Sequence, residues 1–147
     1  MYSLNLPQAN VSLKKDNGKV WIFDIIRKKY VVLTPEEWVR QHFLHMLIDR
    51  HGYPKSLFKI ESSLKYNRLQ KRSDILVHDR TGKPWMLIEC KSPELKLTQK
   101  AFNQVAVYNM SVGAKYLVVT NGMAVFCCMA PQPGEEAIYL KDLPAFQ

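Results

Sequence analysis

Two apolar segments joined by a turn constrain the fold of this chain more than any other feature. "SDILVHD" and "WMLIEC" each have the apolar content of a buried strand. "DRTGKP", between them, contains the Gly and Pro residues of a tight turn. The pattern therefore predicts an antiparallel hairpin, and a turn centred within "DRTGKP" sets Asp74 directly opposite Glu89.

The charged residues at the open end of this hairpin fall on one face. Side chains alternate along a strand, so Asp74, Glu89 and Lys91 point the same way. Directly opposed residues have Cβ atoms roughly 4.5–5.5 Å apart, and two carboxylates held so close repel unless a cation lies between them. Oxygen ligands favour Mg²⁺ or Mn²⁺, and Lys91 would then orient an attacking water or stabilise negative charge. The alternative is a solvated Glu89–Lys91 pair at a strand end, with Asp74 an ordinary acid at the start of a strand.

The remaining segments predict an α/β domain. Thr34, Pro35 and Glu37 have the types and spacing of an N-cap, a first helical residue and a capping box, so a helix is expected from "TPEEWVRQHFLHMLIDRHG" up to Gly52. A second helix, "TQKAFNQVAVYNMSVG", ends at a glycine. Strands are expected at "VSLKK" and "KVWIFDII", which flank the hairpin signal "DNG", and at "KKYVVL", "SLFKIESSL", "KYLVVT" and "MAVFCCM".

Length and composition limit the class of protein. The 147 residues are expected to form one domain, with a β-rich lead at 1–33, a core at 34–129 and a C-terminal extension at 130–147. Three cysteines do not suggest a disulfide framework, and neither a signal peptide nor a membrane span is evident, so a cytoplasmic protein is expected. The net charge of +8 favours a polyanionic partner such as nucleic acid.

A basic segment precedes the hairpin. It contains Lys65, Arg68, Lys71 and Arg72, with Tyr66 between them. Cations beside a carboxylate site suit a phosphate backbone, so these residues are candidates for DNA contact. A solvated basic loop is the alternative.

The spacing of Asp74, Glu89 and Lys91 after the "PEEWVRQHF" helix resembles the PD-(D/E)XK nuclease motif. More specifically, the chain is similar to the N-terminal nuclease domain of type I restriction enzyme R subunits, through "TPEEWVRQ", "KRSDILVHDRTGKPWMLIECKSP", "QVAVY" and "VVTNG". The resemblance runs from about residue 30 to 128. It departs at Ser73, where the motif has a nominal proline, and no phosphate-binding Gly-rich loop follows.

The resemblance implies a restriction-endonuclease-like core, αβββαβ, with a central mixed sheet flanked by helices and here preceded by a β-hairpin extension. It also implies Mg²⁺-dependent hydrolysis of DNA phosphodiesters, with Asp74 and Glu89 as metal ligands and Lys91 beside the nucleophile. Other restriction or DNA-processing subunits are the implied partners, and a homodimer is left open.

Similar nucleases place a further acid on the first helix and a Gln-x-x-x-Tyr element on the second. Glu36 and Glu37 are the candidates for the acid, Glu36 being favoured because the capping box needs Glu37. Gln104 and Tyr108 match the second element, as neighbours on one helix face that support the site or touch DNA. The acids could instead simply favour the positive helix end, and Tyr108 could be a core aromatic.

Two other function classes compete with the nuclease. A catalytically silent DNA-binding or protein-interaction module could retain the fold, although the presence of all three motif residues argues against a decayed site. A structural β-rich dimerising protein is suggested only by the hairpin "KKDNGK". The sequence does not decide between DNA and RNA or between single and double strands, nor does it indicate which sequence is cut.

Overall fold

The chain forms two sheets and two helices, in a computed structural model that describes residues 2–61, 73–132 and 134–147. The side chains of Glu61, Ser73 and Asp74 lie outside this description, although their strand positions are within it. The helices are α1 (Pro35–His45) and α2 (Gln99–Val112). The strands are β1 (Leu13–Asp16), β2 (Lys19–Asp24), β3 (Lys29–Val32), β4 (Phe58–Glu61), β5 (Ser73–His78), β6 (Pro84–Cys90), β7 (Tyr116–Thr120), β8 (Val125–Met129) and β9 (Ile138–Leu140).

The first sheet is the N-terminal meander β1-β2-β3. Its first turn has Asn17 and Gly18 at φ 51° and 73°, the left-handed pair that a two-residue hairpin turn requires. The inner end of β2 is buried: Ile22 and Asp24 are inaccessible to solvent. Strands were predicted in this part of the chain, and β1, β2 and β3 are found there.

The second sheet has six strands in the order β4-β5-β6-β7-β8-β9. All neighbours are antiparallel except β6 and β7, which run parallel and are joined through α2. The predicted hairpin register is confirmed, with Asp74 opposite Glu89 and Leu76 opposite Leu87. A bulge between Val77 and His78 lies next to the turn, where Asp79 Oδ1 accepts three hydrogen bonds.

The two helices cover opposite faces of this sheet. Val39 and Phe43 of α1 pack on one face, against Ile75, Ile88 and the other strand residues whose side chains point to that face. On the other face, Phe102 and Val105 of α2 pack against Leu76, Leu87, Leu117 and Val119. Cys127 and Cys128 contribute to one core each, as expected for packing residues.

Both helices begin after a threonine N-cap, although the Glu37 side chain pairs with arginines rather than completing the predicted capping box. Thr34 Oγ1 accepts a hydrogen bond from Glu37 N at 3.1 Å, and Thr98 Oγ1 caps α2 through Ala101 N. The predicted first helix is confirmed at its start. It differs at its end, where the α-helix stops at His45 and a π-helical turn, Met46–Arg50, follows.

The predicted α/β class is confirmed as a mixed sheet with two helices, and the element order from α1 to β7 is αβββαβ. Strand β9 lies in the Pro-rich tail, for which no strand was predicted. None of the described helices is long and apolar enough to cross a membrane.

Candidate active site

Acidic positions form a row across three neighbouring strands. Glu61 of β4 pairs with Asp74 of β5, and Asp74 pairs with Glu89 of β6. The row continues to Val119 of β7, which belongs to the core beneath α2. Because residues paired across a sheet share a face, all three acidic positions lie on the α2 side of the sheet.

Sequence reasoning did not find Glu61. A strand was predicted at "SLFKIESSL", which contains Glu61, but nothing in the sequence set its level relative to Asp74. Its register could not be derived because no tight turn joins this strand to β5.

Glu89 and Lys91 are in contact at the end of β6. Glu89 is only 2% exposed, and Lys91 Nζ lies 3.4 Å from its Oε1. The side chain of Lys91 is 21% exposed, so it is more accessible to solvent than the side chain of Glu89. The site therefore has a buried acid in contact with a partly exposed cation.

Two contacts with the end of β7 fix the backbone around Lys91. The Lys91 N–H donates to Thr120 O at 2.8 Å, which extends the β6–β7 pairing beyond the last ladder pair. Asn121 Nδ2 donates to Leu95 O at 2.8 Å and thereby ties the loop after Lys91 to the β7–β8 turn. The position of Lys91 is thus determined by the sheet rather than by a free strand end.

The N-terminal segment reaches the same loop. The hydroxyl of Tyr2 donates to Glu94 Oε1, and Trp38 Nε1 on α1 donates to Tyr2 O at 2.9 Å. The hydrogen bond to Glu94, aided by the negative charges of Glu94 and Glu36, raises the pKa of Tyr2. These contacts connect α1, the helix that contains Glu36, to the loop after Lys91.

Glu37 is engaged elsewhere. Its Oε1 lies 2.9 Å from Arg40 Nη2 and 3.5 Å from Arg27 Nη2. Burial raises the pKa of Glu37, and the two arginines offset this only in part. With its carboxylate held by two guanidinium groups, Glu37 is the poorer of the two candidates for a helix metal ligand.

Asp24 lies on the other side of the same arginines. It is inaccessible to solvent and accepts hydrogen bonds from Ile26 N, Arg27 N and Arg27 Nε at 2.7–2.9 Å. Burial alone would raise the pKa of Asp24, but these hydrogen bonds and the charge of Arg27 outweigh it and lower the pKa. We call Asp24, Arg27, Glu37 and Arg40 the ionic cluster; it joins the N-terminal sheet to α1.

Gln104 and Tyr108 lie on α2, the helix that covers the face with the acidic row. Gln104 is exposed and Tyr108 is half-buried against the core beneath α2. They are therefore on the side of the sheet that the predicted supporting role requires, and that role stays a prediction.

The basic candidates Lys65, Arg68, Lys71 and Arg72 lie outside the described residues, so their DNA-contact role also stays a prediction. Among the described side chains, no group of three or more His, Cys, Asp or Glu residues is arranged to hold a metal. That set does not include the side chains of Glu61 and Asp74.

Comparison with known protein families gave a match over most of the chain. The family described as the N terminus of the type I restriction enzyme R protein matches residues 35–144. No curated protein and no solved structure matches the chain. The match begins at the first residue of α1, extends past β9 and includes the hairpin with Asp74, Glu89 and Lys91. The chain therefore belongs to the family of type I restriction enzyme R protein N-terminal regions.

Proposed function

We propose that this chain is a metal-dependent nuclease that hydrolyses DNA phosphodiester bonds at Asp74, Glu89 and Lys91. The observation that carries the proposal is the pairing of Asp74 with Glu89, together with the 3.4 Å contact between Lys91 Nζ and Glu89 Oε1. Membership of a restriction enzyme family supports a restriction-related role. The αβββαβ element order supports a restriction-endonuclease-like core.

The donor groups fit Mg²⁺ or Mn²⁺. Asp74 and Glu89 are opposed carboxylate positions, and hard divalent cations prefer oxygen ligands. Asp74 and Glu89 would hold the metal, and Glu36 is the helix acid proposed to complete the site. A bound divalent ion would supply charge neutralisation at the scissile phosphate and a more acidic water.

Lys91 has the properties of a group that acts on the reacting atoms. Its ammonium cannot ligate a metal, but it can donate hydrogen bonds to an attacking water or to a phosphate oxygen. The contact with Glu89 keeps it over the acidic row, and its partial exposure leaves it accessible to a substrate. Gln104 and Tyr108 are proposed to support the site or to touch DNA from α2.

The proposed partners are DNA and other subunits of a restriction system. The net charge of +8 favours a polyanion, and Lys65, Arg68, Lys71 and Arg72 are the proposed phosphate contacts. The cytoplasm is the proposed location, which suits Cys90, Cys127 and Cys128, since no disulfide joins them.

The test compares the wild-type protein with Lys91→Ala. Wild-type protein is incubated with plasmid, single-stranded DNA and RNA, with and without Mg²⁺ or Mn²⁺, and should cleave DNA only with metal. Lys91→Ala should lower the cleavage rate on the order of a hundredfold or more, because an electrostatic contact made in the transition state is lost. It should leave the metal-induced rise in melting temperature intact, because Lys91 is not a ligand.

Asp74→Asn serves as the matched variant, because it removes a ligand rather than the lysine. It should abolish both cleavage and the metal-induced melting shift. If no DNA form is cut by wild type, or if Lys91→Ala cuts equally fast, the nuclease proposal is wrong. DNA binding without cleavage would then favour a catalytically silent binding module.

A further inference from the structure

A cavity of about 460 Å³ lies between the start of α2 and the β7–β8–β9 part of the sheet. Its wall is largely apolar and aromatic. The residues that matter here are Phe102 of α2, Val119 of β7, Phe126 of β8 and Tyr139 of β9. Phe126 and Tyr139 are 46% and 53% exposed, so two aromatic side chains remain accessible at the cavity.

The cavity adjoins the acidic row. Glu89 pairs with Val119, and Val119 pairs with Phe126, so the row of the candidate site runs directly into the cavity wall. Neighbouring strands are about 4.8 Å apart, which places Phe126 two strand spacings from Glu89, roughly 10 Å. A single nucleotide can span this distance with its phosphate at one end and its base at the other.

The aromatic residues are arranged as a partly open pocket for a flat ring. Tyr139 is paired with Cys128, so it lies diagonally across from Phe126 on the same face, with Cβ atoms roughly 7–8 Å apart. On the far side, the Tyr139 ring contacts Phe102 with a centroid distance of 5.5 Å, which supports its position. Aromatic side chains that are accessible beside a cationic surface are the usual platform for unpaired bases.

The charge at the cavity rim also suits a nucleotide. Thr98 and Gln99, at the N-terminal end of α2, line the cavity. The first turn of α2 contains no acid and includes the exposed Lys100. The positive end of the helix therefore faces the same opening as the aromatic rings.

We propose that this cavity binds an unpaired nucleobase of the strand whose phosphate lies at Asp74, Glu89 and Lys91. The inference rests on the proposed function and adds to it a substrate class: DNA that is single-stranded or locally unpaired at the cleavage point. A paired base cannot enter the cavity without leaving its stack and its partner, which costs free energy that an unpaired base does not lose.

The test measures binding in a Lys91→Ala background, so that cleavage does not interfere. The probe is a short single-stranded DNA oligonucleotide with one 2-aminopurine, followed by anisotropy for affinity and by 2-aminopurine emission for stacking. Phe126→Ala and Tyr139→Ala should each weaken single-strand binding about tenfold and remove the emission change, since one base–aromatic stack is lost. Binding of a fully paired duplex should barely change.

Ile138→Ala is the matched control. Ile138 precedes Tyr139 on β9 and is 61% exposed, but it lies on the opposite face of the sheet because side chains alternate along a strand. It should bind as the Lys91→Ala parent does. Phe126→Trp, which keeps an aromatic face, should retain both affinity and the emission change.

Equal single-strand affinity in Phe126→Ala, Tyr139→Ala and the parent would overturn the inference, whether or not wild type cuts DNA. Self-association that Phe126→Ala abolishes, with single-strand binding unchanged, would also overturn it and assign the face to a protein contact. Phe126-dependent stacking in a protein that never cleaves would support the cavity assignment while the nuclease proposal fails.

Discussion

The molecule contains two groups of acidic positions, and they differ in the cations that the described side chains place beside them. In the ionic cluster, Asp24 and Glu37 face Arg27 and Arg40, so two carboxylates meet two guanidinium groups. In the acidic row, three acidic positions lie on neighbouring strands, and among the described side chains the ammonium of Lys91 contacts Glu89. The first group holds two acids and two arginines, whereas the second places three acidic positions side by side on one face of the sheet.

We interpret this difference as separating a structural role from the proposed metal-binding role. A buried carboxylate that accepts hydrogen bonds from backbone and arginine, like Asp24, stabilises the junction between the N-terminal sheet and α1. Acids placed across a sheet on one face repel each other unless a cation joins them. Substitutions in the ionic cluster should therefore lower the free energy of unfolding without changing the cleavage rate. Substitutions in the acidic row should lower the cleavage rate without lowering the free energy of unfolding.

The largest expected effect is on cleavage. Glu89→Gln should lower the metal-dependent DNA cleavage rate on the order of a hundredfold or more, because a ligand charge is lost at the proposed metal. Its free energy of unfolding without metal should not fall, because the substitution relieves repulsion with Asp74. Cleavage kinetics measure the rate, and urea unfolding measures the stability. A large loss of stability without metal would show that Glu89 has a structural role like that of Asp24.

The next effect is on stability. Asp24→Asn should lower the free energy of unfolding by about 3 kcal/mol, because it leaves a buried guanidinium short of its counter-charge. Asp16→Asn, at an exposed acid of the same N-terminal sheet, should change it by about 0.5 kcal/mol or less. Cleavage per folded molecule should be unchanged in both variants, and a specific loss of cleavage in Asp24→Asn would contradict the separation of roles.

The smallest expected effect is on pH dependence within the ionic cluster. The pKa of Asp24 is lowered from its ordinary value of 3.8, so its stabilising contribution is complete above that value and is lost as the pH falls through the folded-state pKa. The pKa of Glu37 is raised from 4.5, so its contribution is complete below that value and is lost as the pH rises through the folded-state pKa.

The two substitutions should therefore change opposite limbs of the stability curve. Asp24→Asn should flatten the loss of stability on the acid side, and Glu37→Gln should flatten the loss above pH 4.5. Urea midpoints across the acid-to-neutral range, taken as differences from wild type, measure both. Identical curve shapes for the two variants would mean that the cluster titrates as one unit.

Local signals were enough to predict most of the fold. Thr34 and Asn17-Gly18 act through hydrogen bonds and dihedral angles within a few residues, so a helix start and a hairpin turn could be located from sequence. The Asp74–Glu89 register followed from a short turn. Strand β9 was not predicted, because its three residues pair with the distant β8 and carry little pattern of their own.

The site could be predicted only where a turn fixes the register. Asp74, Glu89 and Lys91 belong to one hairpin, whereas the position of Glu61 depends on a β4–β5 pairing that no tight turn specifies. The ionic cluster was also not predicted, because Asp24 and Arg40 come from different elements whose packing sequence alone does not give. The capping role expected of Thr34 was found, but the side chain of Glu37 pairs with arginines instead.

The two partners of strand β6 imply that the site assembles in two kinetic stages. The β5–β6 hairpin closes a short loop, so Asp74 and Glu89 can meet early and at small entropic cost. The β6–β7 pairing has to wait for a crossover that contains all of α2, and it supplies the Lys91 N–H bond to Thr120. A refolding chain would thus bring its acids together before it fixes its lysine, and cleavage activity should return later than hairpin formation.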